Sequence, residues 1–153
     1  MYACIRIRGL KDVRHDITRA LTYLQLDRKN HCVLMHENNE SEGMTGKVKD
    51  YIAYGKISPE TLGVLLQKRA RLVGDKKIDE KMLKEKGFSS FAELGKSIES
   101  GKISLKSMGI KPVFRLNAPK GGFARAGIKK PVSQRGVLGF HVQGVDGLIK
   151  AMM

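Results

Sequence analysis

A chain of 153 residues with 41% hydrophobic side chains can bury a real core as one domain, which excludes a wholly disordered protein. Its 29 Lys and Arg against 15 Asp and Glu give a net charge of +14, which points to a polyanionic partner and not to any one fold. Two cysteines make no disulfide framework, and no run approaches the roughly 18 apolar residues of a membrane span, so the chain reads as neither exported nor membrane-inserted and the cytosol is the expected compartment.

The first 57 residues alternate strand and helix. In "YACIRIRG", Ala3, Ile5 and Ile7 share one face and Cys4, Arg6 and Arg8 the other, the period-two pattern of a half-buried strand that Gly9 ends. Asp12 is the expected N-cap of a helix in which Val13, Ile17, Leu21 and Leu24 keep helical spacing and which ends near Leu26. "HCVLMHE" (31–37) is a second strand. "NNESEG" is a loop with Ser41 as its N-cap candidate, and Met44, Val48 and Ile52 form one stripe beyond it. "YIAYGKI" (51–57), rich in tyrosine and isoleucine, is a third strand.

Residues 58–110 read as helices. Ser58-Pro59 places a cap before a proline at the first helical position, and Leu62, Leu65, Leu66, Leu72 and Val73 supply an apolar stripe. Asp79 is the expected cap of a short helix through Lys86 that Gly87 closes. Ser90 and Glu93 make a capping box, and Gly101 sits where a glycine C-cap belongs.

Residues 111–153 carry half of the net charge, with eight bases and a single acid, Asp146. Seven of the bases (Lys111, Arg115, Lys120, Arg125, Lys129, Lys130 and Arg135) fall between Lys111 and Gly144, where there is no acid at all. The stretch "RLNAPKGGFARAGIKKPVSQRG" (115–136) is a tethered loop and not a tail. "PVF" anchors it on one side. A short strand, "LGFHV", and a helix with Val145, Leu148, Ile149 and Met152 on one face anchor it on the other. Glycines let the backbone approach phosphates closely, while Pro119 and Pro131 stiffen its path. Arginine forks onto phosphate oxygens and lysine acts as a point charge. Phe114 is expected in the core, whereas Phe123 suits base stacking and burial equally. No base code is visible, so recognition of RNA shape and backbone is expected.

Other chemistries lack support. Each Gly-Lys pair (46–47, 55–56, 95–96, 101–102) lacks the glycine that a P-loop needs five residues upstream, and no dinucleotide-binding glycine pattern follows a strand. Cys4, Cys32 and His36 would offer three zinc ligands if the first two strands pair with those residues on one face, but small core cysteines are the stronger reading. "KGGFARAGI" starts like an RNA-recognition signature and then departs from it. Nothing concentrates nucleophile and base, so no enzyme is expected.

"IRIRG", a helix, then "VLMHENNESEGMTGKVKDYI" resembles the first portion of the large-subunit ribosomal proteins of the L-thirty family, universal type. "RLNAPKGGFARAGIKKP…GVLG" with its terminal helix resembles the extension of archaeal and eukaryotic members. A long basic N-terminal tail is absent, which makes the chain resemble the archaeal form. It departs from the family at "HENNES" and at Asn117-Ala118-Pro119-Lys120. The resemblance implies an α+β fold: a small β-α-β-α-β antiparallel sheet with helices on one face, ferredoxin-like, plus a helical insertion and a basic C-terminal extension. The expected segments are a core at 1–57, a helical extension at 58–110, and at 111–153 a basic rRNA-binding loop with a terminal strand and helix. The implied role is structural, in the large ribosomal subunit, without catalysis, cofactor, metal, membrane or small-molecule substrate. The implied partners are large-subunit rRNA, neighbouring ribosomal proteins and the subunit's small rRNA, not a second copy of the chain. A free-standing RNA-binding or rRNA-maturation accessory protein is the alternative. Charge and resemblance together nominate Lys111, Arg115, Lys120, Gly121, Gly122, Phe123, Arg125, Lys129, Lys130 and Arg135 as RNA-binding.

Overall fold

The computed structural model describes residues 1–78, 83 and 87–153. The first 57 residues form β1 (Tyr2–Arg6), α1 (His15–Tyr23), β2 (His31–Met35), α2 (Asn39–Val48) and β3 (Ile52–Lys56). Then follow α3 (Pro59–Arg69), α4 (Phe91–Glu99), β4 (Val113–Arg115), β5 (Gly139–His141) and α5 (Asp146–Met152). The strands make one sheet in the order β4-β2-β1-β3-β5.

β1 is the centre of the sheet. It runs antiparallel to β2, with Ile5 opposite Cys32, and antiparallel to β3, with Ile5 opposite Ala53. On one face Cys4, Val33 and Ile52 pack against Leu21 and Val48 of α1 and α2. This β-α-β-α-β unit has the expected order, with its two helices on one face. The rest of the chain enlarges it. β4 adds antiparallel to β2, but β5 adds parallel to β3, so the complete sheet is mixed. The opposite face is covered too. There Ala3, Ile5 and Ile7 pack with Leu62, Leu65 and Leu66 of α3, Leu94 of α4, and Ile149 and Met152 of α5.

Because both faces are covered, β1 is not half-buried as its alternation implies. Cys4 and Arg6 have no exposed surface. The Arg6 guanidinium turns back along the end of the strand and donates to main-chain oxygens of Arg8 (2.9 Å), Gly9 (3.1 Å), Leu26 (2.6 Å) and Asp27 (3.2 Å). A charge reads as a solvent-facing residue in sequence, yet here it fills a pocket of carbonyls. Such saturation is what makes the burial of a guanidinium tolerable.

Several boundaries follow their local chemistry. Ser58 caps α3 by accepting from Thr61 N at 3.3 Å, and Ser90 caps α4 by accepting from Glu93 N at 3.3 Å. Gly101, at φ +73°, closes α4: its N–H donates to Ile98 O and that of Lys102 to Ser97 O. Other expectations are corrected. Asp12 does not cap α1; it sits in the left-handed region at φ 56°, and the helix begins at His15 and ends at Tyr23. Ser41 lies inside α2, where its Oγ accepts from Asn38 N at 3.0 Å, so Asn38 is the cap. Leu72 and Val73 lie beyond α3: Leu72 bridges Ile110, and Val73 is exposed. The helix expected from Asp79 to Lys86 lies, except for Leu83, outside the described residues.

Asp146, the single acid of the last segment, starts α5. Its Oδ1 accepts from both Ser58 N and Ser58 Oγ at 3.0 Å, which ties the first turn of α5 to the cap of α3. That carboxylate is spent on the fold and not on the basic loop.

Candidate nucleic-acid interface

The loop leaves β4 at one edge of the sheet and returns to β5 at the other. Its backbone is tied to α5, with Asn117 N donating to Met152 O at 2.9 Å and Lys120 N to Ala151 O at 2.8 Å. Farther on it braces itself: Ala126 N donates to Arg135 O at 3.1 Å, Gly136 N to Pro131 O at 2.9 Å and Leu138 N to Lys130 O at 3.2 Å. Gly136 is required by this bracing, because a Cβ there would stand 2.0 Å from Lys130 O. Gly121 and Gly122 both have positive φ, +82° and +80°, a turn that side chains resist.

The nominated residues divide into two groups. Lys120, Gly121, Gly122, Arg125, Lys129, Lys130 and Arg135 are all exposed along the loop. Among the described residues, none of these five cations forms an ion pair. Phe123 is half-buried against the core, as is Ile128, and Phe114, as expected, is wholly buried.

Lys111 precedes β4 and Arg115 ends it, so both stand apart from the exposed cations farther along the loop. Lys111 Nζ pairs with Asp75 Oδ1, and Arg115 Nη1 lies 3.7 Å from Asp75 Oδ2. The stretch without acids in sequence therefore borrows one in space. The hydrogen bond and charge of Lys111, then the charges of Arg115 and Arg71, hold the Asp75 carboxyl below its usual range. Arg69 and Arg71 line the same hollow and escaped the sequence reading. They reach it through the Leu72–Ile110 bridge, whose two residues are far apart in the chain and carry no pairing signal. His31, opposite Arg115 in the β2–β4 register, faces a neighbouring hollow. Burial, then the charge of Arg115, lowers its pKa.

The cysteines do not come together as ligands. Cys4 faces α1 and α2 while Cys32 faces α3, so they lie on opposite faces of the sheet. Burial pushes the Cys4 thiol up to about 12 and raises that of Cys32 as well. The Cys4 thiol lies 3.2 Å from Met35 Sδ as its donor. Among the described residues no three metal-ligating side chains cluster, and no helix is long and apolar enough to cross a membrane.

Comparison with known proteins agrees with this architecture. The family described as Ribosomal protein L30p/L7e matches residues 2–52, which span β1 to the start of β3. The large ribosomal subunit protein uL30 of Nanoarchaeum equitans is 45% identical over 149 residues, covering 97% of this chain and 96% of its own. That of Methanococcus vannielii is 45% identical over 152 residues, 99% of each chain, and that of Methanothrix thermoacetophila 42% identical over 153 residues, 99% of each. The similarity thus runs through the helical segment and the basic loop as well as the β-α-β-α-β unit. On that ground the chain belongs to the uL30 family of large-ribosomal-subunit proteins.

Proposed function

We propose that this protein is a structural constituent of the large ribosomal subunit in the cytoplasm and that it holds rRNA through the basic loop between β4 and β5. Members of its family are structural components and not enzymes. The observation that carries the RNA reading is the set of five cations without carboxylate partners among the described residues: Lys120, Arg125, Lys129, Lys130 and Arg135. They stand on a backbone braced by α5 and by its own hydrogen bonds. A braced loop loses less conformational entropy on binding than a free one. Exposed glycines at 121 and 122 let a phosphate backbone come close to the main chain. Half-buried Phe123 keeps only part of its ring available for stacking. Contacts of this kind position RNA by its shape and charge.

The partners are large-subunit rRNA and, beside it, neighbouring ribosomal proteins and the subunit's small rRNA. The test is to bind the protein to purified large-subunit rRNA and to an unrelated RNA of equal length over a range of salt. A preference for the rRNA, and sedimentation with large subunits, is expected. Equal binding to both RNAs, with the protein sedimenting free of ribosomes, overturns the ribosomal role and favours an accessory RNA-binding protein.

A further inference from the structure

Four cations line one hollow at the β4 edge of the sheet, with the carboxylate of Asp75 among them. Arg69 ends α3, and Arg71 lies in the turn after it. The antiparallel bridges Arg71–Lys77 and Leu72–Ile110 hold that turn against the approach to β4, and Lys111 N donates to Arg71 O at 2.8 Å. Arg69, Arg71, Lys111 and Arg115 thereby surround a hollow of about 280 Å³ walled by Val113. Asp75 is the only acid among the described residues that line it. A neighbouring hollow of about 340 Å³ shares Lys111, Val113 and Arg115 and reaches His31, whose Nδ1 is buried without a partner among the described residues.

The arrangement is built, and it is unbalanced. Asp75 sits at φ 60° at the tip of the turn, where its N–H donates to Leu72 O at 3.0 Å. This places its carboxylate among the cations, although 54% of its side-chain surface stays exposed. Among the described residues it pairs with Lys111 and Arg115. Arg69 donates to Met153 O at 2.6 Å, and Arg71 forms no ion pair among the described residues. With Arg69 taken up by Met153 O, the Asp75 carboxylate faces three positive charges, and the guanidiniums of Arg71 and Arg115 offer the planar fork that suits phosphate oxygens.

We propose that this hollow is an anion site separate from the loop, that its ligand is a phosphate of an RNA backbone, and that Asp75 is an internal anion occupying the site until the phosphate displaces it. The proposal rests on the reading of the chain as an RNA-binding protein. Asp75 keeps the cations gathered in the free protein. Being exposed at the tip of a turn, it can swing into solvent when a stronger acceptor arrives. The RNA must compete with it, so removing its charge strengthens binding.

The test uses the full chain and three variants. Asp75→Asn keeps a residue that tolerates the left-handed turn, Arg71→Gln with Arg115→Gln empties half of the site, and Arg125→Ala with Lys129→Ala and Lys130→Ala weakens the loop alone. Affinity for large-subunit rRNA is measured against salt. Asp75→Asn is expected to bind several-fold tighter at about 0.1 M salt, and Arg71→Gln with Arg115→Gln to flatten the slope of log K against log salt by up to about two units. If both bind as the unaltered protein does while the loop variant weakens, this site is overturned and the loop reading stands. If the loop variant is also unchanged, the RNA-binding reading itself fails. Inorganic phosphate is titrated in parallel with the His31 ring resonances as reporter. Saturation by inorganic phosphate with no gain in RNA affinity for Asp75→Asn assigns the hollow to a free anion and overturns RNA as the source.

Discussion

Gly95 of α4 lies against Gly63 of α3, and a Cβ on Gly95 would stand 3.1 Å from Gly63 N and 2.9 Å from Pro59 O. Both of those neighbours are backbone, so neither helix can yield without moving as a body. Gly95→Ala therefore sets a gain in helix propensity of up to about 1 kcal/mol against an overpacking cost of about 1–3 kcal/mol, and a net loss of stability is expected. Gly46→Ala in α2 is the contrast. A Cβ there meets nothing within 4 Å, so a gain of about 0.5–1 kcal/mol is expected. Urea midpoints of the two variants should shift in opposite directions.

Arg6 is the second point of fragility. Its side chain serves four main-chain oxygens beyond the end of β1. Arg6→Met keeps the apolar stem and leaves those oxygens without their donor, each carrying a desolvation cost of about 1–3 kcal/mol. A total loss above about 4 kcal/mol is expected, comparable with the whole stability of many small domains. Arg6→Lys keeps the charge but not the fork and should lose less. Equilibrium unfolding in urea orders the three proteins; an Arg6→Met midpoint equal to that of the unaltered chain would contradict the role assigned to this side chain.

Stability should fall on both sides of neutrality, for opposite reasons. Burial, then the charge of Arg115, lowers the pKa of His31, with Arg28 and Arg6 adding to the effect and Asp27 opposing it. Below the ordinary value of 6.5 the unfolded chain takes up a proton that the folded chain resists, so stability is lost as pH falls. The slope from this one group is at most about 1.4 kcal/mol per pH unit. Cys4 and Cys32 act at the other end. Above the ordinary value of 9.0 the unfolded thiols lose protons that the folded ones keep, so stability is lost as pH rises. Urea midpoints from pH 5 to about 10 should trace this dome, with His31→Gln flattening the acid side and Cys4→Ala the basic side.

Loop shape and loop charge can be separated by mutation. Gly136→Ala drives a methyl group into Lys130 O and should open the bracing between residues 130 and 136. Binding to large-subunit rRNA is then expected to weaken with its salt slope nearly unchanged, since every cation remains. The Arg125, Lys129 and Lys130 triple alanine variant should instead flatten the slope by up to about three units. Circular dichroism of both should match the unaltered protein. A flat response of both variants in the binding assay would take the loop out of the interface.

What the sequence disclosed was whatever depends on near neighbours. The alternation of Ala3, Ile5 and Ile7, the Ser58-Pro59 start and the glycine close at Gly101 are all local signals, and each appears where its chemistry places it. The misreadings are long-range. Arg6 looks solvent-facing until carbonyls from residues 26 and 27 surround it. The favoured reading of Cys4 and Cys32 as small core residues holds, and it is the weaker zinc alternative that fails, because Cys4 pairs with Val33 in the β1–β2 register, which puts Cys32 on the other face. Leu72 fits a helical stripe, yet pairing with Ile110 pulls it into a bridge. Likewise the basic character of the loop was legible, whereas the approach of Asp75 to Lys111 and Arg115 depends on that bridge and left no trace in local composition.

The positions of β4 and β5 matter before the protein has any partner. A chain made from its first residue onward can pair β1 with β2 and β3 early, but that three-stranded sheet has two open edges. Open edges are templates for pairing with the wrong chain. Both are covered by strands from residues 111–153: β4 closes β2, and β5 closes β3. Each new edge is only three residues long, too short to recruit another strand well. The segment that carries the basic loop therefore also closes both edges of the three-stranded sheet against pairing with another chain.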